Sequence, residues 1–461
     1  MKIFPVWWSG LSGGAALLAV LALAVFAVGC GDVFRPVAIP ITGPPGDPQP
    51  TSFAFVLSQN APGDAGSALQ LNVPGDSAVF STPAGLDPVY AAFLPPGESR
   101  IFVANRDDDT VSTYIPSLTT ETPTTLNLAA GSRPVFLATT ETGKMYVANA
   151  GGNSVGVING LQTALTTTVT VGSTPVALAE TPDGKKLYSA NQGDGTVSVI
   201  ETSTNSVLQT ISLPPGAAPI WALFSPDGQE LYVLNQGLGT VSVIDATSDT
   251  IVATLQVGTS PVQMFVDKQF NRLYVVNEVV PSPGNPVTDG VWIFDASVDP
   301  PKPLTTVSLK VWGPSAITVL ANGLTAYVAN LELTSPSPNG SVPCTNSSTS
   351  PCQSTVSLSV INTTSNKLQS TQSFPTVTAK CNLNNVPFTQ PGGVRFPAFV
   401  ASSSNSNRVY VSSCDAGVIH ILNTTNNSLV TDIASPPSSF PPPTNTSPPP
   451  PQQPVFVLPG P

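Results

Sequence analysis

Residues 219–258 read PIWALFSPDGQELYVLNQGLGTVSVIDATSDTIVATLQVG, and their punctuation divides them into four short strands. Pro219 to Phe224 is a first apolar run, closed by Ser225-Pro226-Asp227-Gly228. Proline presets φ in such a turn, aspartate bonds its own following backbone, and glycine takes the positive φ of a tight connection. Leu231 to Leu234 is a second strand, Gly239 to Asp245 leads through a third, and Thr250 to Val257 is the fourth. The neighbouring copy repeats the turn as Thr181-Pro182-Asp183-Gly184. Its Val197 and Val199 alternate only half cleanly with Ser198 and Ile200, as expected of a strand buried on both faces.

Working outward, the second strand keeps returning as an apolar run that ends in asparagine. Phe55 to Asn60 is a looser copy, followed by Ile101 to Asn105, Met145 to Asn149, Leu187 to Asn191, Leu231 to Asn235, Leu273 to Asn277 and Ala326 to Asn330. The steps between these asparagines are 45, 44, 42, 44, 42 and 53 residues, and an eighth copy, Val409 to Ser413, carries Ser where the Asn would be. Periods of about 40 to 45 residues with four strands each belong to propeller blades. One blade cannot bury its own faces, so the stack must continue. The predicted fold class is all-β, a closed β-propeller of four-stranded blades with eight repeat units, to be arranged as seven or eight blades.

Composition agrees. Fifty prolines and 36 glycines suit short strands and frequent turns. Charged residues make up 9% of the chain, the net charge is −11, and no basic block is present, which argues against nucleic acid as a partner.

The ends are read as separate regions. Lys2, the uncharged stretch Leu11 to Val28 and the sequence Ala27-Val28-Gly29-Cys30 resemble a bacterial lipoprotein signal. That resemblance implies cleavage before Cys30 and acylation of it, with residues 1–30 as signal and anchor and an uncleaved signal anchor as the alternative. Residues 31–52 form a Pro/Gly-rich tether, 53–435 the propeller with insertions near 331–355 and 371–393, and 436–461 a Pro-rich tail. The first copy lacks its own first strand, and Pro454 to Leu458 in the tail resembles it. Pairing the two would close the ring and remove both exposed sheet edges. The expected location is the bacterial cell envelope, periplasmic or cell-surface side, with the lipid bilayer as partner through Cys30.

Four cysteines remain, Cys344, Cys352, Cys381 and Cys414, an even number in an exported chain. Two disulfides are expected, with Cys344–Cys352 and Cys381–Cys414 the favoured pairing; a metal site is the competing reading.

The recurring Leu-Tyr-Val-x-Asn, the Pro-Asp-Gly turn, Gly-Thr-Val-Ser-Val-Ile-Asp and the returning Val-Gly-x-x-Pro (Val171 to Pro175, Val257 to Pro261) resemble the YVTN β-propeller repeat family, related to surface-layer and lactonase-like propellers. The match spans Phe53 to Ser435 and weakens from Leu331 onward. Propellers of that family commonly have seven blades.

The resemblance implies a place to look for chemistry, because metal-dependent lactonase propellers hold a cation on the central axis with carboxylates and amides. Asp107, Asp108, Asp109 and Asp194, all just past a recurring asparagine, are the candidate ligands; solvated turn residues are the plainer reading. The asparagines themselves are expected to cap strand ends by bonding local backbone. His420 is the only histidine and occupies the slot of Ser198 and Ser242 with no evident partner for base catalysis. The expected function is a non-enzymatic envelope scaffold that binds a protein or polysaccharide and needs no cofactor. The alternative is a lactonase-like hydrolase with a divalent cation in the central channel.

Overall fold

The computed structural model describes residues 53–459 apart from 61–62, 95–99, 117–122, 140–142, 160–163, 279–289, 312, 336–341, 344–352, 379–397 and 438–450. Cys30, Cys344, Cys352 and Cys381 lie outside the described residues, as do the signal, the tether and most of the insertion near 371–393.

Strands are the only regular elements among the described residues, and they form eight sheets. Seven sheets take four main strands in simple succession, from the blade that opens at Pro88 (blade 2) to the blade of Ala398–Ala434 (blade 8). Blade 1 is composite: Phe53–Gln59, Ala65–Asn72 and Ser77–Leu86 are joined by Gln453–Pro459 from the far end of the chain. Inner strands pack against one another from blade to blade, and Gln453–Pro459 contacts the inner strands of both blade 8 and blade 2, so the ring closes with eight blades. The tail therefore occupies the place anticipated for it, antiparallel to Phe53–Gln59.

Register corrects one alignment. Pro88 opens the inner strand of blade 2 opposite Asn105, and Pro454 stands in the same way opposite Ser58. Ser58, rather than Asn60, takes the place of the recurring asparagine in blade 1, while the Asn60 amide donates to the Ala65 carbonyl.

Six inner strands shift register between the opening proline and the residue two places on, as at Pro219/Trp221. Proline has no N–H to give a ladder, so it suits a strand start on the free inner edge, and the bulge re-aims the side chains beyond it. One tyrosine per blade in blades 3 to 8, Tyr146, Tyr188, Tyr232, Tyr274, Tyr327 and Tyr410, is fully buried three residues before the recurring Asn or Ser. A buried aromatic of this size contributes on the order of 1.5–3 kcal/mol.

Blade 7 departs from the plan. Its second and third strands, Thr325–Ser335 and Gln353–Asn362, continue their pairing past Asn330, with Leu331 to Thr334 opposite Val356 to Gln353. Part of the expected insertion near 331–355 is thus the stem of a hairpin that prolongs this one blade.

Candidate functional site at the channel mouth

The described turns between second and third strands lie at one end of the ring, the end where the inner strands begin. Their geometry accounts for the motifs there. Asn105 Nδ2 donates to Thr110 Oγ1 at 3.0 Å and to Ser112 Oγ at 2.9 Å. Asn191 does the same to Thr196 and Ser198, and Asn235 to Thr240 and Ser242. The asparagines mainly tie the end of one strand to hydroxyls on the next, where backbone capping was expected. The recurring spacing of Thr and Ser in Gly-Thr-Val-Ser-Val is the other half of this bond.

The four aspartates are engaged in the same turns. Asp108 Oδ2 accepts from Leu86 N–H at 2.9 Å and its Oδ1 from Thr110 Oγ1 at 2.7 Å. Asp194 is equivalent, accepting from Ser173 N–H and Thr196 Oγ1, both at 2.7 Å. Asp109 reaches the connection into the next blade, where it accepts from Gly131 N–H and Arg133 N–H. Asp107 lies near Arg106 and Arg133. Asp108, Asp109 and Asp194 each staple a turn to the chain that enters their own or the following blade. Among the described residues, no three of His, Cys, Asp and Glu are grouped where they could share a metal ion. The returning Gly of Val-Gly-x-x-Pro sits under this staple: a Cβ on Gly172 would lie 2.6 Å from both Asn191 Nδ2 and Asp194 Oδ2.

Just below, aromatic side chains from five of the eight blades converge towards the axis near the start of the inner strand, while blades 4, 6 and 7 carry Ala177, Gln263 and Ala316 two residues after the opening proline. Tyr90 stacks on Phe136 with ring centroids 4.2 Å apart and meets Phe456 at 4.8 Å, which in turn meets Phe399 at 4.7 Å. Phe136 of blade 3 touches Trp221 of blade 5 edge to face at 5.7 Å, past the small Ala177 of blade 4. Contact between alternate blades requires these rings to lean inward.

Above them stands the residue that follows each recurring Asn: Gln59, Arg106, Gln192, Gln236 and Glu278 are the polar ones. Gln59 and Gln236 reach the carbonyls of Pro88 and Pro261 in the next blade, at 3.5 and 3.2 Å. Arg106 pairs with Asp87. Burial pushes the Asp87 carboxyl up to about 6 in spite of that guanidinium, and burial pushes Glu278 up to about 7. Two carboxyls poised near neutrality therefore stand at this rim. Sequence reading missed both, since neither belongs to the repeat motif; the only signal was Glu278, the one carboxyl at a position where the other blades place an amide, an arginine or an apolar residue.

His420 is elsewhere, in the third strand of blade 8, and does have a partner. Its Nδ1 lies 2.7 Å from Asp432 Oδ1, and Phe374 of blade 7 stacks on the ring at 3.7 Å with 1° between planes. Burial lowers its pKa, against the pull of Asp432. Cys414, next to the mouth in blade 8, is buried and disulfide-bonded.

The family model described as Lactonase, 7-bladed beta-propeller matches residues 85–330, from the connection into blade 2 to the asparagine of blade 7. No curated protein matches the chain. Among solved structures it is similar to dihydro-heme d1 dehydrogenase NirN in complex with DHE, at 13% identity and a TM-score of 0.60, covering 97% of this chain and 86% of that one. AztD from Citrobacter koseri is 14% identical with a TM-score of 0.55, covering 88% and 97%. A protein from Lactobacillus plantarum is 18% identical with a TM-score of 0.51, covering 71% and 97%. At these identities the likeness is one of fold.

Proposed function

The chain belongs to the lactonase family of β-propellers, and we propose that within this family it serves as a non-enzymatic binding scaffold, tethered to the bacterial envelope through an acylated Cys30. Its partner is a protein or polysaccharide of the envelope or beyond. The observation that carries this reading is the prolonged hairpin of blade 7, whose paired stem Leu331–Thr334 and Gln353–Val356 stands out on the mouth side of the ring. It breaks the symmetry of that face and adds surface in one sector. Three of the candidate ligand carboxylates, Asp108, Asp109 and Asp194, meanwhile serve backbone N–H groups in the turns.

The test is to cut the hairpin back, joining Asn330 to Ser357 through a turn of the length found in blade 5. Binding of the soluble body, residues 52–461, to purified envelope polysaccharide and protein fractions should fall by at least tenfold, with an unchanged melting temperature. Undiminished binding would sink the reading.

A second reading, lactonase-like hydrolysis with a divalent cation in the central channel, draws on the raised carboxyls of Asp87 and Glu278 at one rim. A general acid or base works best near the ambient pH. A stoichiometric divalent ion, a melting temperature lowered by chelator, and lactone hydrolysis abolished by Glu278→Gln would establish it in place of the scaffold.

A further inference from the structure

At the opposite end of the ring, every seam from blade 3 round to blade 1 but one is bridged in the same way among the described residues. A residue at or near the start of a second strand reaches the turn between third and outer strands of the next blade. Lys144 Nζ donates to the Thr202 carbonyl at 2.7 Å. Lys186 Nζ and the Tyr188 hydroxyl donate to the two oxygens of Asp249 at 2.7 and 2.5 Å. Arg272 donates to Asn366 Oδ1 at 3.0 Å, Tyr327 to Asn427 Oδ1 at 2.6 Å, and Arg408 to Asp76. Asp76, Asp249, Asn366 and Asn427 all have φ between 45° and 56°, the left-handed conformation that Asp and Asn tolerate, so turn chemistry itself supplies the acceptor.

The seam between blades 5 and 6 is the exception. The residue that starts the second strand of blade 5 is Glu230, 5% exposed, and the turn residue facing it is Asp299. Glu230 Oε2 accepts from the Tyr232 hydroxyl at 3.1 Å, while Oε1 is buried without a donor. The other charged groups that face it are Asp227 in the preceding turn and, across the ladder, Asp245, whose carboxylate accepts from Thr247 and Ser248. No lysine or arginine is among them. Two carboxylates are both acceptors, and only a proton between them makes one a donor.

We propose that a proton shared by Glu230 and Asp299 latches blade 5 to blade 6, making this the one described seam that is closed by acid and loosened by base. Burial and the facing Asp299 push Glu230 up to about 8, consistent with a proton retained at neutral pH. Asp299 is exposed, so the proton equilibrates with solvent. Linkage sets the sign. A carboxyl whose folded-state pKa is raised stabilises fully below its unfolded value near 4.5, and that contribution is lost as pH rises towards about 8.

The experiment is urea unfolding of the soluble body from pH 5 to pH 9 for the native sequence, Glu230→Gln and Asp299→Asn. Either amide supplies a permanent donor to the remaining carboxylate. Relative to each variant, the native chain's unfolding constant should rise by up to about tenfold per pH unit across the window, one proton's worth. Glu230→Lys should rebuild the Lys186–Asp249 type of bridge and hold its stability at pH 9. If Glu230→Gln fails to fold, Asp299→Asn alone decides. Native and variant curves that run parallel at every pH would overturn the shared proton.

Discussion

Arg408 of blade 8 holds Asp76 of blade 1 in a two-point clasp, Nε to Oδ1 at 2.7 Å and a second guanidinium nitrogen to Oδ2 at 2.8 Å, across 332 residues of sequence. The turn that carries Asp76 lies between Ala65–Asn72 and Ser77–Leu86, near the start of the chain's described part, and Arg408 opens the second strand of the last blade. The clasp is therefore a seam bridge used for closure, parallel to the pairing of Gln453–Pro459 with Phe53–Gln59.

Arg408→Met should destabilise the ring by about 1–3 kcal/mol, since both side chains are mostly buried and a charge-assisted pair of this geometry is lost. Urea unfolding followed by tryptophan fluorescence measures it. A change below a few tenths of a kcal/mol would mean that the tail strand alone closes the ring.

A chain ending at Gln452 should lose more than stability. Removing Gln453–Pro459 uncovers the edge of Phe53–Gln59 and takes away the buried Val455, Phe456 and Val457. An unpaired, apolar edge recruits another strand. Size-exclusion chromatography should show dimers or larger species, returning towards monomer on addition of a peptide of residues 453–459. A monodisperse monomer would show that the edge is protected by other means.

Protonation of His420 should destabilise the seam between blades 7 and 8. Burial lowers its pKa in the fold below the unfolded value near 6.5, so the unfolded chain takes up the proton first and stability falls as pH drops through that region. His420→Phe should remove this dependence below pH 6.5, read as the difference between the two urea midpoints at pH 5 and pH 7.5. This slope is opposite to that of Glu230, so each is read from its own variant.

Asp109→Ala and Asp194→Ala should each cost about 0.5–1.5 kcal/mol, the scale of a turn staple whose freed N–H groups can turn to water. Thermal melts with and without a chelator give the check. Chelator sensitivity in the native chain that disappears in either variant would move these residues back among cation ligands.

The propeller class, the four-strand unit and the tail as the missing inner strand were legible from residues 219–258 and their echoes, because strand length, turn chemistry and blade period are local properties that repeat. The repeat also explains itself locally: Asn235 with Thr240 and Ser242 lies within a single hairpin. Seam partners are not local. Glu230 and Asp299, like Arg408 and Asp76, are set beside each other by the stacking of blades, and no spacing rule along the chain announces which turn will face which strand. The same holds for Ser58 in place of Asn60, which depends on a strand from the far end of the chain. Sequence by itself determined what blades 2 to 8 are, since the hydrogen bonds of each are made between strands that follow one another in the chain. Only the closed ring decided which charges meet, because burial and the facing blade set whether a carboxyl finds a cation, a backbone N–H, or another carboxyl and a proton.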